Sequence, residues 1–140
     1  MMGAGLEIVC VSSAFDFEAA AREERYQLVT GPGALGILTG MDRSRLEACL
    51  QNCAMATSVG ADSTNVEDLL DDVSIDLQAD SDDFFFPTVS GHKFDDNVWI
   101  VIPKAHDTPR LLALSTQSGF ASQVASWIDL ARADVAEAAE

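Results

Sequence analysis

Phe120, Val124, Trp127, Ile128, Ala131 and Val135 follow one another at spacings of 4, 3, 1, 3 and 4, which lays one apolar stripe along a helix starting near Ser118. A helix of this kind needs an apolar surface over its stripe, so the rest of the chain has to provide a second layer. Strand-like segments supply it. Residues 6–11 are rich in β-branched side chains, residues 98–102 (Val-Trp-Ile-Val-Ile) are apolar on both faces, and residues 110–114 return after a stretch bracketed by Pro103 and Pro109. Phe84, Phe85, Phe86 and Val89 read as a further strand, and Val73, Ile75 and Leu77 alternate with Ser74, Asp76 and Gln78 as in a half-exposed one. The proline-bracketed loop predicts antiparallel neighbours.

Helices are expected between and before these strands. Ser12 and Ser13 can cap one through residues 15–28, with Asp16 and Glu18 early and Arg22 and Arg25 late to complement its dipole. Residues 30–40, with four Gly and one Pro, read as loop. Ser44 and Glu47 have capping-box spacing ahead of a stripe of Leu46, Cys49, Leu50 and Cys53, which Gly60 closes. Thr64 and Glu67 repeat the pattern before Val66, Leu69, Leu70 and Val73, a two-turn helix that gives way to a strand near residue 73. The sum is an α+β fold: an antiparallel sheet of about four or five strands with three or four helices on one face, the C-terminal amphipathic helix among them. A chain of 140 residues needs one such domain, residues 1–140.

Charge narrows the function. Asp and Glu number 23 against 8 Lys and Arg, a net charge of -15 that repels phosphate backbones and anionic lipid, so direct nucleic-acid or membrane binding is disfavoured. No stretch is apolar for long enough to cross a bilayer, and Asp16 and Glu18 interrupt any leader-like segment, which leaves the cytoplasm as the expected location. The three cysteines read as free thiols. No Lys or Arg occurs between Leu46 and His92, whereas ten Asp and Glu do. Glu67, Asp68, Asp71, Asp72, Asp76, Asp80, Asp82 and Asp83 lead directly into Phe84, Phe85 and Phe86, of which one sheet face cannot bury all three. A carboxylate field beside an apolar anchor suits a partner protein with a basic surface. The expected function is therefore that of a small acidic non-enzymatic protein, chaperone- or immunity-like, that holds or inhibits such a partner. Two alternatives remain, an inhibitor that mimics nucleic acid and a small enzyme built on Cys10, His92 or His106. Self-pairing through the Trp127 stripe or the Phe run is a further option.

Motif chemistry is sparse. Gly31-Pro32-Gly33-Ala34-Leu35-Gly36 matches a dinucleotide-binding glycine pattern in letters, but no parallel strand is expected before it, no helix after it, and no acidic residue follows about twenty positions on. Cys49 and Cys53 lie one turn apart and lack the partners a structural zinc needs, so burial is the expected role. Asp80, Asp82 and Asp83 begin like a calcium loop that Phe84, Phe85 and Gly91 then break. His106 and Asp107 lie in a turn with no G-x-S-x-G to support a nucleophile. No metal and no cofactor are expected.

Overall fold

Three short segments are buried along their whole length: Tyr26–Thr30 (β2), Cys53–Val59 (β3) and Arg110–Leu114 (β5). Strands covered on both faces belong to parallel sheets, because each crossover lays a helix over the sheet. The computed structural model describes residues 7–22, 24–80, 88–91 and 110–139. Among them Glu7–Val11 (β1) and Thr88–Gly91 (β4) complete a five-stranded sheet in the order β1-β5-β2-β3-β4, with every pairing parallel. The helices are Ala14–Ala21 (α1), Ala34–Thr39 (α2), Arg43–Leu50 (α3), Ser63–Asp80 (α4) and Phe120–Ala139 (α5).

The expected antiparallel α+β fold is thus overturned: the chain is α/β, with helices on both sides of the sheet. Leu28, Ala56, Leu112 and Leu114 face α1–α4 in the larger core cluster, which also holds Phe17, Leu38, Leu50, Leu70 and Leu77. Val29, Val59, Leu111 and Ala113 face the other way, onto Phe120, Val124 and Ile128 of α5. The C-terminal stripe thus covers the sheet as its spacing required, from a helix that begins close to Ser118.

Several boundaries move. Ser13 does cap α1, accepting from the Asp16 amide at 3.1 Å, but the helix stops at Ala21 and Tyr26–Thr30 turn into strand. Asn52 donates to the Ala21 carbonyl (2.9 Å) and Arg110 to the Ala20 carbonyl (2.6 Å), which satisfies carbonyls at the buried end of α1 and fixes its length. The presumed loop over residues 30–40 contains α2. α3 begins one residue before Ser44, with Asp42 at its N-cap, and Glu47 pairs with Arg43 (3.2 Å) instead of closing a capping box. Leu46, Cys49 and Leu50 are buried as a stripe, while Cys53 opens β3. The largest change is in α4, which runs for 18 residues to Asp80 and erases the strand expected over residues 73–77. The strand expected over residues 98–102, the Phe run at 84–86 and both histidines lie outside the described residues.

Candidate functional site

At 100° per residue, the buried side chains of α4, Ser63, Val66, Leu70, Val73, Ser74 and Leu77, gather on one side. Asp68, Asp72 and Ile75 point directly away from them, flanked by Asp71 and Asp76, and all five are exposed. Ile75 is 64% exposed. Of the acidic residues singled out from sequence, Asp68, Asp71, Asp72 and Asp76 therefore share one solvent-facing helical surface, Glu67 is half-buried at its margin, and Asp80 ends the helix. Asp82, Asp83 and the three phenylalanines lie outside the described residues, so the apolar member of this surface is Ile75.

Among the described residues, one base reaches this surface from within the chain. Arg43 on α3 pairs with Asp76 (2.5 Å), Asp72 (3.2 Å) and Glu47 (3.2 Å). Burial alone would lower its pKa, but the hydrogen bonds that it donates to Asp76, Glu47 and Asp72 outweigh that and hold it above the ordinary value. Asp68 makes no ion pair among the described residues.

Across α3, on α1, the charge changes sign. Phe15 is 79% exposed and borders an open cleft of about 280 Å³ with Glu18, Ala19, Arg22 and Arg45. Arg22 (3.6 Å) and Arg45 (3.5 Å) bracket the single Glu18 carboxylate, leaving the cleft with an excess of positive charge. Sequence reading missed both this cleft and Ile75. The signals were present: Phe15 and Phe17 are two apart and cannot share a helix face, and Ile75 breaks the i, i+3, i+4 spacing of its neighbours.

The glycine motif stands in a context opposite to the one expected, since a parallel strand, β2, precedes it and a helix, α2, follows. Two of its glycines nevertheless serve packing. A Cβ on Gly31 would strike the Phe120 ring, one on Gly33 would strike Thr116, and Gly33 has φ of 85°. The amide of Gly31 bonds to Leu114 O (2.9 Å), and Pro32 O accepts from the Thr116 amide (3.0 Å) and the Ser115 hydroxyl (2.6 Å), zipping the β2 and β5 exits together. At the same edge of the sheet the hydroxyls of Thr30 and Ser58 are buried without a hydrogen-bond partner among the described residues.

The thiols divide by burial. Cys49 and Cys53 are buried, and desolvation pushes them up to about 11 and about 12, so both stay protonated at neutral pH. Cys10 is exposed on the edge strand β1. No cluster of three metal-ligating side chains occurs, and no helix is long and apolar enough to cross a membrane, among the described residues.

No protein-family description and no curated protein matches the chain. Among solved structures it is similar to a domain from a Haemophilus ducreyi 35000HP protein designated a UDP-N-acetylmuramate:L-alanyl-gamma-D-glutamyl-medo-diaminopimelate ligase, at 13% identity and a TM-score of 0.49, over 92% of this chain and 95% of that one. A likeness this distant carries no argument about what the chain does.

Proposed function

We propose that the protein is a non-enzymatic docking module that holds a partner through the outward surface of α4. The observation that carries this reading is the exposure of Ile75 on the same helical surface as Asp68, Asp71, Asp72 and Asp76. An apolar side chain ringed by carboxylates fits a partner whose surface offers basic groups around an apolar recess: the acids steer the encounter and the isoleucine supplies desolvated contact. Such a protein acts by occupying its partner.

The test compares retention of host proteins by the tagged wild type, by Asp68→Lys with Asp71→Lys, and by Ile75→Glu, at low and high salt. Both variants are expected to lose retained partner by about tenfold or more, since a reversed charge or a charge in an apolar recess costs at least about 1.4 kcal/mol, with thermal midpoints close to wild type because the positions are exposed. Retention unchanged by either variant would remove α4 from the function.

A further inference from the structure

We infer that the cleft between α1 and α3 is a separate binding site, and that it takes the free C-terminus of a partner protein whose last side chain is apolar. The inference stands apart from the docking reading of α4, because the two surfaces lie on different helices and share no residue.

Phe15, Glu18, Ala19 and Arg22 stand at i, i+3, i+4 and i+7 along α1 and its C-cap, so they line up on one side of the helix. Arg45 reaches the same line from α3. Phe15 leaves an apolar ring uncovered among the described residues. Arg22 and Arg45 both approach one atom, Oε1 of Glu18, from 3.6 Å and 3.5 Å, so a single group placed beside that oxygen can touch both. These separations are longer than an ordinary hydrogen bond and both arginine side chains are exposed, which leaves their N–H donors open to a ligand. The three charges also form one cluster around α3. The buried Cys49 thiol is raised first by desolvation and further by Glu18, and is lowered by both Arg22 and Arg45.

Charge selects the ligand. Two arginines against one glutamate leave a single positive charge, which one carboxylate neutralises. A phosphate dianion would exceed it, and a chain with a net charge of -15 opposes every further negative charge. Geometry selects the form. Phe15 and Glu18 are neighbours across one helical turn, about 5–6 Å, which sets the spacing of the apolar and cationic ends of the cleft. A C-terminal residue carries its carboxylate and its side chain on one α-carbon and spans that distance. An internal Asp or Glu holds its carboxylate on the side chain itself and leaves the Phe15 ring bare. The cleft, at about 280 Å³, is also open, whereas sites for small molecules enclose most of the ligand. An open cleft lets the rest of a chain run out over the surface. The carboxylate thus takes the guanidinium groups of Arg22 and Arg45, and the terminal side chain packs on Phe15 and Ala19.

The experiment titrates the isotope-labelled full chain with acetyl-Ala-Ala-Ala-Phe and follows backbone amide shifts by NMR. The free acid is expected to move Phe15, Glu18, Ala19, Arg22 and Arg45 saturably, with a dissociation constant on the order of 1 mM, the scale of one anchored residue in an open cleft. The same peptide with an amidated C-terminus should bind about tenfold more weakly or worse, because the charge-assisted bonds are lost. Arg22→Gln, Arg45→Gln and Phe15→Ser should each weaken the free acid by about fivefold or more, with amide shifts elsewhere and the thermal midpoint close to wild type because the positions are exposed. Asp68→Lys with Asp71→Lys should leave the dissociation constant within about twofold at 0.15 M salt, which separates this site from the surface of α4. Shifts that never saturate, that are equally large around Arg25, an exposed arginine outside the cleft, or that the amidated peptide reproduces overturn the inference. So does equal binding by acetyl-Ala-Asp-Phe-Ala amide, whose acid is internal.

Discussion

Tyr26 shows how much a single polar group holds in this core. Its ring packs edge-on against Phe17 at 6.2 Å, and its hydroxyl donates to the Cys49 carbonyl at 2.7 Å. That carbonyl belongs to the last turn of α3, where no helical amide can reach it, so the phenol ends the helix from inside the core. Tyr26→Phe keeps the ring and strands a buried acceptor, and should cost about 1–3 kcal/mol by denaturant midpoint. A change below about 0.5 kcal/mol, the size of an ordinary surface substitution, would mean that water or a neighbour replaces the phenol. Gly33 has a different role: its positive φ and the closeness of Thr116 make it a position that no larger side chain fits without moving the β5 exit. Neither residue announces its role in the sequence, because the carbonyl that Tyr26 reaches is 23 positions away and the threonine that Gly33 meets is 83 positions away in the chain.

At the level of elements, α4 settles the choice between two periods. Alternation of Val73, Ile75 and Leu77 puts all three on one strand face, whereas helical spacing keeps Val73 and Leu77 buried, brings in Ser74 and turns Ile75 outward. The two readings separate in one comparison. Leu77→Ala should cost about 2–5 kcal/mol under either, but Ile75→Ala should stay within about 0.5 kcal/mol; a cost near that of Leu77→Ala would restore the strand. Helices with a clean stripe were legible: α5 from Phe120, Val124 and Ile128, α3 from Leu46, Cys49 and Leu50, and the first half of α4. The strands were less so. β3 reads Cys-Ala-Met-Ala-Thr-Ser-Val, whose Ala and Met favour helix, and its place inside the sheet, between β2 and β4, comes from neighbours far along the chain. β2 was absorbed into the preceding helix because Arg22 and Arg25 suit the end of a helix running to residue 28, and the groups that stop α1 come from Asn52 and Arg110. Strand direction was misread for a related reason, since a proline-bracketed loop looks like a hairpin whichever strands it joins. The acidic side of the candidate site was visible as composition; its apolar members and the arginine cleft needed the helical geometry.

For the molecule as a whole, the protonation of the core is coupled to the stability of the fold. Tyr26, Cys49 and Cys53 sit together where β2 and β3 meet α3, and burial raises all three: Cys49 to about 11, Cys53 to about 12, and Tyr26 well above 10.0, with the two thiols adding to the tyrosine shift. Below pH 9.0, the ordinary thiol value, all three are protonated in both the folded and the unfolded chain, and their burial is felt in full. As pH rises past 9.0 the unfolded chain releases the thiol protons while the folded chain keeps them, so the unfolded state binds fewer protons and unfolding becomes easier. Each thiol contributes a slope of up to about 1.4 kcal/mol per pH unit, ending near pH 11 for Cys49 and near pH 12 for Cys53. Tyr26 joins above pH 10.0. The surface adds little to this window, because Lys93 and Lys104 are the only lysines and the remaining bases are arginines that stay charged. Denaturant midpoints taken from pH 7 to 11 should be level at first and then fall steeply. Cys49→Ala with Cys53→Ala should start from lower stability and lose most of that slope between pH 9 and 10, since the groups that drive it are gone. A wild-type midpoint that stays level to pH 11 would mean that these side chains reach solvent, and that the space between α3 and the sheet is not the sealed core that the fold requires.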